Sequence, residues 1–401
     1  MSQKNLTILN DPRRIYRADI PNLRIDLKGY SPSGTSAFVL NTVFDAQVVN
    51  NNFYEADRFS IEAALSGLPA PYNTIGWWGA QKQIEVKISA GLQPFGPGGG
   101  TVLIEGLVDM PDLRLRSNVL SLSGRDWTSR FIDTMVSDTF LNIQNGKIFL
   151  NMTGSQIVTQ LAAQYPDISN NPDTNIWPTS TPVGTYAMGQ NAIMFRNRTL
   201  WDVMTWLDQQ ETDTDSAGVP QNYVCYVKGK ALYWGPQQAP DGIFQIQWGP
   251  QSNLDDLELS RNLSLANDIR VTVQGWGPLG RYQAVASGKH RSAPSVIFPA
   301  GYQHYVYTIN GLTVQQASAK ATALAKGLTQ HELVARASLP ADFSIDPYGA
   351  VCLVGTDSEW DTDYWINSVT WRFGMGEEEG AAMDLWLKNH PVNMEVTLPS
   401  P

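Results

Sequence analysis

The segment from Ile104 to Asp133, IEGLVDMPDLRLRSNVLSLSGRDWTSRFID, carries the clearest structural signal in this chain. Residues Leu103 to Met110 would place alternate side chains on opposite sides of an extended strand. Pro111-Asp112 predicts a turn, and Val119–Ser123 predicts a second strand. From Gly124-Arg125-Asp126-Trp127 onward the pattern becomes helical. The segment therefore predicts a β-hairpin that leads directly into a helix.

The residues before this hairpin predict an all-β part. Residues 1–12 resemble a loose N-terminal arm, and glycines and prolines then separate stretches with a period of two. Several short strands joined by turns are typical of a barrel or a sandwich. The predicted strands are Leu23–Leu27, Ala37–Val48, Arg58–Ala64, Gln83–Ala90, Val102–Val108 and Val119–Ser123. We take residues 1–125 as the N-terminal arm and a first β-barrel.

Residues 126–250 predict a mixed part with helices and one hairpin. Apolar side chains at helical spacing predict helices over Thr128–Val136, Thr153–Ala163 and Thr199–Leu207. Ser155 or Thr153 could cap the second helix, and Thr199 the third. Residues 164–196 are rich in Pro, Asn and Thr and predict a long loop. Two strands, Tyr223–Val227 and Ala231–Trp234, predict a small hairpin.

Residues 251–401 predict a second β-barrel with one helix. The helix covers Thr313–Thr329 and is capped by Thr313. A late hairpin of Tyr364–Phe373 and Ala381–Leu387 occupies the place that the Ile104–Ser123 hairpin has in the first part. The remaining predicted strands are Leu257–Leu259, Asp268–Gly275, Tyr305–Ile309, Val334–Ser338 and Ala350–Val354.

The composition limits the class of protein. The net charge is −10, which disfavours a general nucleic-acid-binding protein, because phosphate contacts need clustered Lys and Arg. Charged residues make up 16% of the chain, below the usual ~25%. The only cysteines, Cys225 and Cys352, fall in different predicted parts, so no disulfide framework is expected. We expect neither a signal peptide nor membrane insertion.

Several short patterns resemble catalytic or metal-binding motifs but are incomplete. His331-Glu332 begins a zinc-protease helix, yet position 335 is Ala rather than the second His. The alternating carboxylates of Asp357–Asp363 lack the Gly and the final Glu of a calcium loop. The Phe95–Gly100 segment lacks the Lys and the following helix of a phosphate loop. We therefore assign no catalytic residue, no metal ligand and no cofactor.

Two carboxylate pairs and one aromatic pair remain as candidates. Asp109 with Asp112, and Asp133 with Asp138, could flank a glycosidic bond in a cell-wall hydrolase. Trp77 and Trp78 stand side by side in a turn-rich segment and belong either to a core or to a subunit interface. Phe95 lies at a predicted hairpin tip. We take Trp77, Trp78 and Phe95 as interface candidates.

The passage from Gly106-Leu-Val-Asp109 to Gly124-Arg-Asp126 resembles the end of the first barrel in baseplate hub proteins of contractile phage tails, the late-control-D-like and Mu-like hubs. The Leu200–Leu207 helix with its hairpin, and the passage from Thr313 to Val354, are similar to later parts of that family. The resemblance implies a mainly β fold, in which two tail-tube-like barrels flank a small mixed domain. It implies no active site.

The same resemblance implies a function and partners. The protein would be a homotrimeric hub in the virion tail baseplate, assembled in the host cytoplasm, and would enclose a channel through which DNA passes. Three chains with two similar barrels each would match a six-fold tail tube to a three-fold central spike. Tape measure and baseplate wedge proteins are further expected partners. A tail-associated cell-wall hydrolase and a carbohydrate-binding β module remain the alternatives.

Overall fold

The computed structural model describes most of the chain, and every structural statement below concerns the described residues. These are residues 7–8, 22–91, 99–137, 146–180, 182–187, 190–211, 223–238, 243–250, 252, 254–261, 268–277, 279–289, 302–309, 312–329, 333–374 and 381–389. The fold is mainly β with a smaller helical content, and this confirms the fold class expected from the sequence.

The first β unit, as far as it is described, consists of seven strands, one α-helix and a short 3-10 helix, Leu65–Gly67. In sheet order its strands run β4-β5-β8-β7-β6-β2-β3, and every pair is antiparallel. Side chains on β8 alternate between buried and half-buried, as the period of two predicts. The elements are β2 (Asn22–Ser31), β3 (Gly34–Val39), β4 (Val43–Asn51), β5 (Arg58–Ala64), α1 (Ile75–Ala80), β6 (Gln83–Gly91), β7 (Thr101–Arg114) and β8 (Val119–Asp126).

The middle unit combines short helices with two small sheets, of order β11-β12-β9 and β10-β14-β13. Its two longest helices begin at capping boxes, Thr153 with Gln156 and Thr199 with Asp202. The elements are α2 (Thr128–Ile132), β9 (Gly146–Leu150), α3 (Gly154–Ala162), α4 (Pro166–Ser169), β10 (Asn175–Ile176), β11 (Thr185–Ala187), β12 (Gln190–Arg196), α5 (Leu200–Gln210), β13 (Tyr223–Lys228) and β14 (Ala231–Pro236).

The second β unit is formed by six strands that lie between residues 243 and 388. A separate α+β unit interrupts it between its second and third strands. The strands of the second β unit are β15 (Ile243–Gln247), β16 (Asp256–Arg261), β20 (Leu333–Pro340), β21 (Ala350–Val354), β22 (Asp363–Gly374) and β23 (Ala381–Lys388). The α+β unit consists of β17 (Asp268–Gly277), β18 (Gly280–Lys289), β19 (Tyr302–Thr308) and α6 (Val314–Thr329).

One sheet of fourteen strands contains both β units. It includes β1 (Thr7–Ile8), which pairs in parallel with β15. The two β units also share one hydrophobic core, in which Ile61 and Leu122 of the first cluster with Val369 and Trp371 of the second. The middle unit and the α+β unit each have a hydrophobic cluster of their own. The domain boundaries at 125/126 and 250/251 remain a prediction.

Four local predictions were wrong. Pro111-Asp112 lies inside β7, and the chain turns after Arg114 instead. The predicted strand Ala37–Val48 is two strands, β3 and β4. Residues 164–196 contain α4, β10, β11 and β12 rather than one long loop, and Thr7–Ile8 of the predicted loose arm forms a strand.

Other predictions are confirmed. Arg58–Ala64 and Ala350–Val354 have the predicted bounds. Thr153, rather than Ser155, caps α3, and Thr199 caps α5. The hydroxyl of Thr313 accepts a hydrogen bond from the Gln316 backbone N–H over 3.2 Å, as a cap of α6 should.

Candidate functional site

The seam between the two β units is an antiparallel pairing of β4 with β22. It runs from Asn51 opposite Ser368 to Asp45 opposite Gly374. Val48 lies opposite Trp371, and both side chains are buried. Because backbone hydrogen bonds and a shared core both cross this seam, it fixes one β unit against the other.

The loop between β4 and β5 extends this seam. The Asn52 backbone N–H donates to the Asn367 carbonyl over 2.8 Å, and the Asn52 side-chain amide donates to the Ile366 carbonyl over 2.5 Å. Asn52 is buried. An asparagine that closes two hydrogen bonds to the opposite unit fixes the strand register at this end of the seam.

Tyr54, two residues further on, connects this loop to the middle unit. Its backbone N–H donates to the Cys225 carbonyl over 3.1 Å, and its hydroxyl donates to the Tyr223 carbonyl over 2.8 Å. Its own carbonyl accepts from the indole N–H of Trp201 over 2.7 Å. Tyr54 has a φ of +76°, a left-handed conformation that is rare for a bulky residue. These three hydrogen bonds hold the strained residue in place.

The tip of the β13–β14 hairpin lies between the two β units. The Lys228 ammonium pairs with the Asp346 carboxylate of the second β unit at 2.5 Å. The Lys230 ammonium lies 3.8 Å from the Glu85 carboxylate of the first β unit and 4.2 Å from the Trp127 ring centre. Gly229 between them has a φ of +57°, as the tight turn requires. The hairpin therefore contacts both β units through the two lysines that flank Gly229.

A cavity of about 560 Å³ lies where the three units meet, between Asp57 and Thr101–Glu105 of the first β unit, Val227–Gly229 at the hairpin tip, and the Phe343–Tyr348 loop of the second β unit. We call this region the three-way junction. The ring of Tyr348 stacks on Phe53 at 5.5 Å and lies 4.2 Å from Tyr226. Each unit thus contributes one ring to the junction.

Four carboxyl-bearing residues line this cavity, and two of them, Asp57 and Asp126, have raised pKa values. Loss of solvent raises the pKa of Asp126 to about 7, although hydrogen bonds from Thr128 act in the opposite direction. Loss of solvent and the neighbouring Asp126 charge raise the pKa of Asp57 as well. The Asp57 carboxylate accepts the Asn51 backbone N–H over 2.7 Å. The pair therefore takes up protons more readily than ordinary aspartates do.

The residues of the sequence motif have structural roles. A Cβ at Gly106 would overlap the Arg125 carbonyl oxygen, and a Cβ at Gly124 would overlap that of Leu107. Arg125 bridges two carboxylates, with 2.6 Å to Asp109 and 2.7 Å to Asp133. The motif therefore fixes the close approach of β7 and β8 and ties them to the chain just after α2.

The interface candidates differ in accessibility. Trp78 is 3% exposed, and its indole N–H donates to the Tyr72 carbonyl over 2.8 Å, so it offers almost no surface to a neighbour. Trp77 is half-buried, and its indole N–H donates to the Ser36 hydroxyl over 3.2 Å. Both pack with Phe38 of the edge strand β3. Phe95 lies outside the described residues, and an interface role for Trp77 remains a prediction.

Of the remaining candidates, some are held in local hydrogen bonds or ion pairs and others lie outside the described residues. Asp361 accepts hydrogen bonds from the backbone N–H groups of Gly355, Thr356 and Asp357, so this carboxylate organises its own turn. His331 and Asp138 lie outside the described residues. No three His, Cys, Asp or Glu side chains within those residues are arranged to hold a metal ion. Both cysteines are free.

Sequence reasoning missed the three-way junction and one further polar cluster. Asp208 and Glu211 at the end of α5 are buried beside Lys320 of α6. Their partners are distant in the sequence, so no local spacing could indicate them. The one available signal is the acidic end of α5, since carboxylates are unfavourable near a helix C-terminus and are best explained by a nearby cation.

Three solved structures share this fold over nearly the whole chain. A tail protein from Neisseria meningitidis superimposes with a TM-score of 0.60 at 12% identity, over 92% of this chain and 96% of that one. A 43 kDa prophage tail protein from Shewanella oneidensis gives 0.60 at 12% identity, over 91% and 98%. A prophage tail protein from Listeria monocytogenes gives 0.53 at 11% identity, over 91% and 95%.

The chain therefore has the fold of these phage tail proteins. No protein-family description and no curated protein sequence matches it. Within the described residues, no helix is both long and apolar enough to cross a membrane.

Proposed function

We propose that this protein is the structural baseplate hub of a phage-like contractile tail. Two observations support the proposal. The chain shares its fold with three phage tail proteins along almost its full length. In addition, the β4–β22 seam joins two β units edge to edge into one continuous sheet.

The seam is the observation that carries the proposal. It joins the two β units edge to edge, and neighbouring β units in a closed ring would be joined in the same way. Three chains arranged about a three-fold axis would present six β units in a ring. Such a homotrimer adapts a six-fold tail tube above it to a three-fold spike below it. The channel within the ring lets DNA pass.

This function sets the partners and the place of the protein. The hub contacts the tail tube protein on one side and the central spike protein on the other, with tape measure and baseplate wedge proteins as further neighbours. It is located in the virion tail baseplate after assembly in the host cytoplasm. Its role is mechanical rather than enzymatic.

Light scattering coupled to size exclusion tests the proposal directly. The purified chain should elute with three times its 44.3 kDa mass and should form rings with three-fold symmetry in electron micrographs. A single species of monomer mass at micromolar concentration, with no rings, would contradict the hub.

Trp77→Ala tests the predicted interface position. The matched control is Trp177→Ala, which removes another indole that is 43% exposed. If Trp77 contacts a neighbouring chain, only its substitution should shift the mass towards that of the monomer. If the two variants have the same mass, Trp77 is not part of the interface, but the proposed trimer is not contradicted.

A further inference from the structure

The α+β unit has a hydrophobic core of its own. Ala317, Ala321 and Ala325 of α6 pack on the three-stranded sheet, whose Val271 and Val273 belong to the same cluster. No side chain from the other units is in this cluster, as far as the described residues show. The unit can therefore retain its internal packing without apolar support from its neighbours.

Among the described residues, the α+β unit contacts the middle unit through a strand that runs beside another strand and through a polar contact of Lys320. Strand β11 runs beside β17. The Lys320 ammonium of α6 lies 3.4 Å from the backbone carbonyl oxygen of Glu211 and donates to it. Glu211 directly follows α5, where unpaired carbonyl groups give a helix its negative end. The Lys320 ammonium therefore lies at the negative, C-terminal end of α5.

Two carboxylates make this site more negative. Asp208 is 3% exposed, and neither of its carboxylate oxygens has a hydrogen-bond partner among the described residues. Among the described residues, the charged and titratable groups that face it are Glu211 on its own helix, Lys320 on α6, Tyr54 in the β4–β5 loop and Cys225 on β13. Lys320 is the only cation in this set, so it is the group that offsets the buried negative charge.

From this geometry we propose that Lys320 is a latch: it docks the α+β unit on the middle unit by offsetting the buried charge of Asp208 and Glu211, and the unit can be released as an intact module.

The ionic contact between Lys320 and the two carboxylates adds little stability to the docked state, so the contact between the two units can open. Loss of solvent lowers the pKa of Lys320 to about 8, despite the attraction of Glu211 and Asp208. Loss of solvent also raises the pKa of Asp208. Both groups are thus costly to keep charged in the contact, and a buried ionic contact of this kind specifies geometry more than it stabilises. Removing only the lysine takes away the positive charge that faces the buried Asp208 carboxylate, which is the more damaging change.

Hydrogen exchange of the full chain at neutral pH, read by mass spectrometry, tests the latch. Lys320→Met should speed exchange on the order of tenfold or more in the last turn of α5 and in β11, while the β17–β18 hairpin keeps its protection. Lys320→Met combined with Asp208→Asn should return exchange towards the wild-type rate, because one buried charge is then gone. The control is Lys82→Met, which removes an exposed lysine.

Each contrary outcome overturns a stated part of the proposal. Equal exchange in Lys320→Met and Lys82→Met would show that Lys320 does not hold the contact. Loss of protection throughout β17 and β18 would show that the unit is not a separable module. A double variant as fast as Lys320→Met alone would show that Asp208 is not the charge that Lys320 offsets.

Discussion

The indole N–H of Trp201 donates a 2.7 Å hydrogen bond to the backbone carbonyl of Tyr54. This bond joins helix α5 of the middle unit to the loop between β4 and β5. Trp201 is 6% exposed, so water cannot easily take its place as a donor. Because Tyr54 is in a left-handed conformation, the carbonyl is directed at Trp201 only while the loop retains its native shape.

Trp201→Phe should therefore destabilise the protein. The substitution leaves the Tyr54 carbonyl buried without its donor, which costs about 1–3 kcal/mol. Urea unfolding should show a lower free energy of unfolding with an unchanged dependence on denaturant. The matched control is Trp177→Phe, whose indole is 43% exposed and which should change stability by less than about 0.5 kcal/mol. Equal losses in both variants would argue against the hydrogen bond.

Gly124→Ala should destabilise the first β unit. The added Cβ would overlap the Leu107 carbonyl oxygen on β7 and also contact the Phe59 ring, so the backbone must shift. Overpacking of this kind costs about 1–3 kcal/mol. Thermal unfolding should give a lower midpoint.

Gly76→Ala is the opposite case and serves as the control. Nothing lies within 4 Å of a Cβ at Gly76, which is in α1. Alanine is the better helix former by about 1 kcal/mol, so this variant should be neutral or slightly more stable. A stability loss equal to that of Gly124→Ala would mean that the β7–β8 approach is not the cause.

Asp126→Asn should remove a pH dependence of stability. The folded-state pKa of Asp126, about 7, is raised above its ordinary 3.8, so the native state binds the proton more tightly than the unfolded state does. Its contribution is therefore most favourable at low pH and is lost as the pH rises from about 4 to about 7. The difference in unfolding free energy between wild type and variant should fall over that window and stay flat above it.

Urea unfolding at a series of pH values measures this difference. The comparison with the variant cancels the other titrating groups, apart from Asp57, whose own shift depends on Asp126. Asp109→Asn is a suitable control, because that carboxylate is partly exposed and paired with Arg125. A wild-type minus Asp126→Asn difference that is constant between about pH 4 and about pH 8 would contradict the raised pKa.

Local sequence patterns predicted most of the individual helices and strands. An element that is buried on one face has apolar residues at a regular spacing, and this spacing is visible in the sequence. The helix capped by Thr199 and the strand Arg58–Ala64 are examples. Pro111 was misplaced for a physical reason. It lacks a backbone N–H, yet it lies beside a bulge in the β7–β8 ladder, where the hydrogen bonding is already irregular.

Contacts between distant residues could not be predicted. The alternation along β4 indicates a strand but not that Val48 faces Trp371, because any strand of suitable length could be its partner. The same holds for Tyr54 with Trp201 and for Lys320 with Glu211. Trp78 was left open between core and interface, since its burial depends on Tyr72 and on Phe38 of the edge strand.

The pairing of β4 with β22 also affects synthesis. A ribosome releases residues 43–51 long before residues 363–374 exist, so the first β unit emerges with one edge and part of its core uncovered. Such late, long-range pairing slows folding and leaves the nascent chain open to aggregation. An N-terminal fragment produced alone would therefore expose β4 as an unpaired edge strand, which can pair with strands of other chains.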